Sequence, residues 1–500
     1  MKKIILVLLG LILSNNLIAN NLQIGEVTKS GQNTSQKYVM LNFDVQWENS
    51  WRLDTDVPPG NYDAVWLFVK YFRGGGWHHA KLSSNASEFN SGTNAEIKTT
   101  ADGMGVFLQR KVAGSGTFNT QNISLRWNYG FNNELDDSIP NMPVIVMGIE
   151  MVYVSEGPFW IGGGGIQTFY TYPNTNEFFR IINESIDIDL KMSNDYLWVT
   201  DCESEGVIPN SFPKGVKSFY CMKYEVTQKQ FATFLNTLTQ TQSQNRFVDK
   251  YGNYRFYIRK IENRYGCDAN DNNIFDEDDD GCDIACNFIS IIDFLAFSDW
   301  AGLRPMSTFE YEKVCRGPDK DNSPWAWGSN DISMVTSILN NGLPNEISND
   351  DAHTYIPNCN LTSPSQNNPQ VFSGPTRVGM FAKANGGRVE SGASFFGVMD
   401  MTGNLWEIVV SPRYNISRIF NKVNGDGALN SIGQSDIETW NIMFSTETCC
   451  STHSLKGGSF FANPYANTYY ISSVGSFWNF PGHPFNKENN YGIRCVRSAE

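Results

Sequence analysis

Oxygen-bearing side chains recur at a regular spacing between Asp268 and Asp279, in the run D-A-N-D-N-N-I-F-D-E-D-D. Counted from Asp268, they fill positions one, three, five, nine and twelve, and the residue at position seven can contribute its carbonyl. Carboxylate, amide and carbonyl oxygens at this spacing are the ligands of calcium in a twelve-residue loop. The predicted ligands are Asp268, Asn270, Asn272, Ile274, Asp276 and Asp279.

This run resembles EF-hand or dockerin calcium loops but differs from them at two positions. Position six is Asn273 where such loops have glycine, although asparagine also adopts the left-handed backbone conformation. Position twelve is Asp279, whose side chain is shorter than that of glutamate. The alternative is a solvated acidic loop. We expect calcium, within an acidic insertion that spans residues 267–286.

The adjacent histidines His78 and His79 form a second possible metal site. A zinc site requires at least three protein ligands, and no third ligand can be named nearby. We therefore expect both histidines to be ordinary strand or loop residues near Trp77.

Residues 20–146 show the alternation of half-buried strands. Every second residue from Val39 to Trp47 is apolar, and Ile123 to Trp127 repeats this pattern. The run from Ala64 to Val69 is continuously apolar, which is typical of a strand covered on both faces. We predict an antiparallel β-sandwich that acts as an accessory or adhesion module. Its predicted turns contain Pro58-Pro59-Gly60, Gly74-Gly75-Gly76 and Gly114-Ser115-Gly116.

The second part of the chain carries helix start signals. A hydroxyl followed three residues later by a carboxylate or amide forms a capping box, which satisfies free backbone N–H groups. The three pairs are Thr227 with Gln230, Ser290 with Asp293 and Ser307 with Glu310. Gly302 and Gly317 are predicted to end the second and third helices. The remaining sequence is rich in glycine and asparagine, so we predict an α+β chain with a loop-rich second domain.

Seven sequence blocks occur in one order along this second part. They are M-V-Y-V-S-E-G-P-F-W-I-G (151–162), F-Y-C-M-K-Y-E-V-T-Q-K-Q-F (219–231), W-A-G-L-R-P-M-S-T-F-E-Y-E-K-V-C-R-G (300–317), P-W-A-W-G (324–328), F-G-V-M-D-M-T-G-N-L-W-E (396–407), K-G-G-S-F (456–460) and Y-G-I-R-C (491–495). In this order the chain resembles the formylglycine-generating enzyme, or sulfatase-modifying factor, family, which has a duplicated variant of the C-type lectin fold. The resemblance covers residues 147–498, which we expect to form the second domain.

The resemblance implies a copper site that this chain does not match. Oxidase members of the family hold copper through two thiolates in the loop after Gly-Gly-Ser, and with oxygen they convert a substrate cysteine to formylglycine. The corresponding positions here are Ala462 and Asn467, and no cysteine occurs between Lys456 and Arg494. Monovalent copper requires sulfur ligands, so we expect neither copper nor this oxidation. The alternative is an oxidase with atypical ligands near Cys449-Cys450, which we interpret as disulfide partners.

The resemblance also implies a second calcium site and a disulfide. The family places calcium at the Gly-Asn-x-Trp-Glu turn, which maps to Asn404, the carbonyl of Leu405, and Glu407. The alternative is that Glu407 accepts backbone N–H bonds within the turn. The family disulfide maps to Cys315 and Cys495.

The loop after Gly457-Gly458-Ser459 is rich in aromatic and amide groups, which offer large rigid contact areas and adaptable hydrogen bonds. We predict that it binds a ligand. The predicted binding residues are Asn463, Tyr465, Asn467 and Tyr469. The alternative is that the aromatic residues of the loop, such as Phe460 and Phe461, pack in the core.

Charge and the N-terminus restrict the cellular role. The net charge of −14 and the lack of a basic patch exclude nucleic acid as a partner. Residues 1–19 have the charged, apolar and small-residue regions of a secretory signal peptide. The apolar run Ile4 to Leu13 is shorter than the ~20 residues of a membrane span. Export favours disulfides among the ten cysteines.

Together these patterns predict an exported protein of the cell envelope. We expect it to bind a protein or glycan ligand at the cell surface, or to act as a scaffold, without catalysis. Its destination would be the periplasm, the outer surface or the medium. Because relatives of this fold also occur in bacterial gliding and secretion machinery, a structural part in such an assembly is a further alternative.

Overall fold

The structure is a computed structural model of the whole chain. The residues it describes are 21–54, 57, 59–134, 136–163, 168–174, 176–199, 205–321, 323–349, 357–361, 373–382, 386–440, 452–461, 478–479 and 483–499. Within these residues no helix has the length and apolar character needed to cross a bilayer.

The first part of the chain is built from antiparallel strands. These are β1 (Gln23–Ile24), β2 (Thr28–Asn33), β3 (Tyr38–Arg52), β4 (Asp63–Arg73), β5 (Gly76–His79), β6 (Ala95–Thr99), β7 (Val106–Arg110), β8 (Gly114–Trp127) and β9 (Val144–Val154). Strand β3 pairs with β1 and β2 along one edge and with β8 along the other. Strands β4, β5, β6, β7 and β9 belong to a second, larger sheet.

The two sheets pack face to face, as predicted for a β-sandwich. The alternating residues of β3 and β8, such as Leu41 and Leu125, are buried in one cluster with Val65, Leu67 and Leu108 of the larger sheet. One predicted turn is wrong, because 114–116 forms the start of β8 instead of a connection. The predicted turn at 74–76 is confirmed: Gly74 and Gly75 have φ angles of 60° and 86°, which a tight hairpin turn requires.

The second part contains four helices among the described residues: α1 (Gln228–Asn236), α2 (Gln240–Arg246), α3 (Ile291–Trp300) and α4 (Thr308–Arg316). Its strands are β10 (Phe159–Ile161), β11 (Phe169–Thr171), β12 (Phe179–Ile181), β13 (Ile188–Leu190), β14 (Leu197–Val199), β15 (Gly206–Ile208), β16 (Phe219–Met222), β17 (Ile258–Ile261), β18 (Arg264–Cys267), β19 (Arg304–Pro305), β20 (Ile338–Leu339), β21 (Ile347–Ser348), β22 (Trp406–Val410), β23 (His453–Lys456), β24 (Trp478–Asn479), β25 (Tyr491–Gly492) and β26 (Cys495–Ser498). The helices are short and the loops long, so the predicted α+β class is confirmed.

One sheet joins the two parts of the chain. Its strand order is β19-β26-β16-β9-β4-β7-β6, with β5 also paired to β4. Strand β9 pairs with β4 on one side and β16 on the other, so the predicted domain limit at residue 146 falls inside a strand. Strand β4 is covered on both faces as predicted: Val65 and Leu67 face the sandwich core, and Ala64 and Trp66 face the core of the second part.

The predicted helix starts are confirmed in detail. Both hydrogen bonds of the capping box are present at Thr227, Ser290 and Ser307, which precede α1, α3 and α4. Gly302 and Gly317 follow the ends of α3 and α4 with positive φ angles, as the helix ends require. A fourth capping box, Thr239 with Gln242, starts α2 and was not predicted.

Candidate functional site

The turn before β22 is tightly enclosed. Gly403 has a φ of 87°, and a Cβ at this position would lie 2.7 Å from the carbonyl oxygen of Asn360. The next residue, Asn404, is buried, and its Oδ1 accepts a hydrogen bond of 2.8 Å from the backbone N–H of Thr376. Its Nδ2 donates to Glu225, which also accepts from the N–H of Leu405 at 3.1 Å. Both ends of the Asn404 amide are therefore bound to protein groups.

Glu407, at the second position of β22, forms a buried ion pair with Arg494. The guanidinium lies 2.7 Å from Oε1, and the exposed fractions of the two side chains are 1% and 0%. Arg494 also donates to the carbonyls of Met222 and Met399. The carboxylate of Glu407 accepts from this guanidinium, which differs from the expected hydrogen bonds to N–H groups of the turn. Since this positive charge adjoins the carboxylate, the turn does not favour calcium at Asn404, Leu405 and Glu407.

Two further buried carboxylates surround this ion pair. We call Glu225, Asp400, Glu407 and Arg494 the Arg494 cluster. Burial raises the pKa of Glu225 well above its usual range, and the neighbouring Asp400 and Glu407 raise it further. Burial likewise raises the pKa of Glu407 and Asp400, while Arg494 opposes the shift at both carboxyls. The cluster ties β22 to the segment before β26 and serves the fold.

The predicted calcium loop directly follows β18. We call residues 268–280 the acidic loop. Asp268 is buried, and its Oδ1 accepts the N–H of Asn272 at 3.0 Å. The oxygens of Asn270 and Asn272 accept backbone N–H groups two residues further on, at 3.0 and 2.7 Å. The side-chain oxygens at positions one, three and five therefore fold the loop by local hydrogen bonds.

Basic residues already pair with two of the predicted ligands. The guanidinium of Arg259 lies 2.6 Å from Asp268 and also pairs with Asp271. Arg264 lies 3.1 Å from Asp276. These two carboxylates are therefore neutralised by arginine in the structure.

A different set of carboxylates converges in the acidic loop. Oxygens of Glu277, Asp279 and Asp280 lie within 4.8 Å of one another, and Asn270 donates to Asp279 at 2.8 Å. The predicted ligand Ile274 has an exposed side chain. Sequence reasoning missed Glu277 and Asp280, although both continue the same acidic run. The carboxylates that converge therefore lie at the C-terminal end of the loop.

The predicted binding residues Asn463, Tyr465, Asn467 and Tyr469 lie outside the described residues. The described base of their loop contains Phe460, which is buried and contacts Tyr254 and Phe461. The hydroxyl of Ser459 accepts from the N–H of Phe461 and from the amide of Asn490, both at 3.3 Å. The alternative of core packing therefore holds for Phe460.

The described cysteines are free thiols, and the disulfide implied by the resemblance is not formed. Cys315 on α4 packs with Val496 and Cys221 in one cluster, on one face of the large sheet. Cys495 is buried on the opposite face, where its Sγ lies 3.2 Å from the hydroxyl of Ser298. Successive residues of β26 point to opposite faces, which separates Cys495 from Cys315.

The two adjacent histidines also point apart. His78 is exposed, whereas His79 is buried with its Nε2 2.6 Å from the carbonyl oxygen of Met104. Burial lowers the pKa of His79 well below its usual range. This supports the interpretation of both residues as ordinary strand residues.

A cleft of about 580 Å³ lies between the two parts of the chain. Strands β1 and β9 form one wall, and the start of α1 forms another with Thr227, Lys229 and Gln230. Asp283 lines the same cleft, and burial raises the pKa of its carboxyl to about 6. Polar groups opposite an apolar wall are typical of small-ligand sites.

Comparison with known proteins decides the family. The family model described as sulfatase-modifying factor enzyme 1-like domain matches residues 191–499, more than half of the chain. The chain belongs to this family. No curated protein matches it. Among solved structures it is similar to Treponema denticola variable protein 1, with 10% sequence identity and a TM-score of 0.30, over 71% of this chain and 96% of that one.

Proposed function

We propose that this member of the sulfatase-modifying factor family is an exported binding or scaffold protein of the cell envelope that does not oxidise cysteine. The observation that carries the proposal is the placement of sulfur. The segment from Lys456 to Arg494, where the family oxidases hold copper, contains no cysteine. Six of the seven free cysteines in the described residues are buried.

The environment of these thiols also opposes copper chemistry. Burial raises the pKa of Cys495 to about 12, and it raises the pKa of Cys221, Cys315 and Cys359 above their usual range. The thiolate is the form that binds metal, and reactive cysteines have a lowered pKa and partial exposure. These side chains therefore contribute to packing.

A mass measurement tests the absence of oxidation. A sulfatase-type Cys-x-Pro-x-Arg peptide is incubated with the purified protein, copper and oxygen, and we expect no conversion to the aldehyde. Conversion that is lost in Cys449→Ser or Cys450→Ser would show that the adjacent thiols replace the missing ligands, and the oxidase alternative would then hold.

Ligand binding is the positive half of the proposal. It is supported by the aromatic and amide residues after Ser459 and by the cleft beside α1. A glycan and peptide array probed with the mature protein should identify a ligand at the cell surface. Binding should fall in Tyr465→Ala and Tyr469→Ala but persist in Tyr196→Ala, which removes an exposed tyrosine just before β14. Equal binding by all three variants would show that the loop after Ser459 is not the binding site.

Calcium is the cofactor of this proposal, held by the acidic loop. Glu277, Asp279 and Asp280 supply carboxylate oxygens at one end of the loop, and Asn270, whose amide nitrogen donates to Asp279, lies beside them. Hard oxygen ligands of this kind suit calcium, and the exposed side of the group at Asp279 leaves room for water to complete its coordination. Asp268 then organises the loop through its bonds to backbone N–H groups.

A further inference from the structure

Two cysteines at the ends of the acidic loop meet in the structure. Cys267 is the last residue of β18, and Cys282 lies just beyond the loop. Their Sγ atoms lie within 4.8 Å of each other, and the Cys282 thiol donates to Oδ1 of Asp276 at 3.8 Å. A disulfide needs Cβ atoms about 3.5–4.5 Å apart and sulfurs about 2 Å apart, so two sulfurs already within 4.8 Å need only a small further approach.

The backbone holds both cysteines in place. Cys267 is paired with Ile258 in the hairpin of β17 and β18. The carbonyl of Cys282 accepts the N–H of Lys229 at 3.1 Å, which fixes it to the start of α1. The approach of the two sulfurs is therefore set by regular structure on both sides and does not depend on the loop between them.

A metal ion is the competing occupant, because Asp276 also lies within 4.8 Å of both sulfurs. Its two carboxylate oxygens are engaged, however: Oδ1 accepts the N–H of Cys267 and Oδ2 pairs with Arg264, both at 3.1 Å. A structural zinc site takes four ligands, usually thiolates and imidazoles. Two sulfurs with an occupied carboxylate fit a covalent bond better than a zinc site.

We propose that Cys267 and Cys282 form a disulfide that closes the acidic loop into a covalent ring. The oxidant is a small-molecule disulfide such as oxidised glutathione. One cysteine thiolate attacks it and releases one glutathione thiol, and the second cysteine then displaces the other. Two protein thiols lose two electrons and two protons, and one glutathione disulfide becomes two thiols. Because Cys282 is partly exposed, its thiolate is the one that attacks the glutathione disulfide.

Peptide mapping tests this bridge on the full chain. The purified protein is treated with oxidised glutathione under native conditions, alkylated in denaturant, and cut after glutamate and arginine. Cleavage after Glu277 separates the two cysteines, so their peptides stay joined only through a disulfide. We expect a joined product whose mass is about 2 Da below the sum of its reduced peptides. Alkylation of both cysteines after oxidation would overturn the proposal.

Variants decide the pairing, because Cys286 lies on the same peptide as Cys282. The joined product should disappear in Cys282→Ser and Cys267→Ser and persist in Cys286→Ser. Cys359→Ser is the matched control, since Cys359 is buried in a separate cluster. Loss of the product in Cys286→Ser, with retention in Cys282→Ser, would overturn the assignment.

Stoichiometric zinc in the untreated protein, with both thiols alkylated after chelation, would equally overturn the disulfide proposal in favour of a metal site. If a variant does not fold, a further cut of the wild-type product before Asp283 separates Cys282 from Cys286 and assigns the bridge.

Discussion

The Arg494 cluster and the acidic loop both contain carboxylates paired with arginine, but the two regions differ in burial. In the cluster, carboxylates face a guanidinium that is fully buried. In the acidic loop, Asp271 and Arg264 have exposed fractions of 68% and 64%. Burial without a partner is very unfavourable for a charge, so the cluster carries its own cation. In the acidic loop, water solvates the exposed charges, so these carboxylates do not need a protein counter-charge. They remain available to a cation from solution.

Removal of the guanidinium from the Arg494 cluster should destabilise the protein most strongly. Arg494→Met should lower the free energy of unfolding by about 3–5 kcal/mol, because it leaves a buried carboxylate without its counter-charge. Urea unfolding measures the loss. Arg264→Ala is the matched control in the acidic loop, where removal of an exposed ion pair should change stability by less than about 1 kcal/mol. Equal losses in the two variants would contradict the contrast between the regions.

Calcium should stabilise the protein through the acidic loop. Binding to the folded form alone adds about 2.7 kcal/mol at a hundredfold excess over the dissociation constant, which raises the melting temperature. Asp279→Ala and Asp268→Ala should reduce this rise, the first by loss of a ligand and the second by loss of loop structure. Asp299→Asn, a change at a buried carboxylate outside the loop, should keep it. If calcium and chelator give the same melting temperature in wild type, the calcium proposal is wrong.

Asp299 is a buried carboxylate of a third kind, because it accepts hydrogen bonds from Ser435 and the N–H of Asp426 instead of from a guanidinium. Burial raises the pKa of its carboxyl to about 7. The folded state therefore binds a proton more readily than the unfolded chain between about pH 4 and pH 7. The stability from this group is present below that window and is lost as pH rises through about 7.

Asp299→Asn keeps groups able to form both hydrogen bonds but removes the titration. The wild type should therefore lose more stability than the variant as pH rises from about 5 to about 6, by at most about 1.4 kcal/mol for each pH unit. Denaturant unfolding at the two pH values measures the difference. Parallel pH profiles for the two proteins would show that Asp299 does not titrate in this range.

Local sequence patterns predicted several helix starts and strands correctly. The capping boxes at Thr227, Ser290 and Ser307 were correct because each needs only residues three apart. The alternation from Val39 to Trp47 predicted its strand for the same reason. The turn predicted at 114–116 failed, because glycines also occur within strands, here opposite Arg52 and Ser50 of β3.

Prediction of the sites was weaker, because ligands and partners are distant in sequence. Asp268, Asp276 and Asp279 follow the spacing of a calcium loop, but spacing does not show that Arg259 and Arg264 lie beside two of them. Glu407 was recognised as an important carboxylate, yet its partner Arg494 lies 87 residues away.

Ordered blocks and short periods in the sequence were enough to predict the family, the sandwich pattern of the first part and the starts of the helices. The pairs of charges that meet and the thiols that face each other depend on the tertiary fold. Pairing of β9 with both β4 and β16 merges the two parts into one sheet, and alternation along β26 turns Cys495 away from Cys315. The β17–β18 hairpin and the start of α1 hold Cys267 close to Cys282. These contacts arise from long-range strand pairing and burial, which local patterns do not encode.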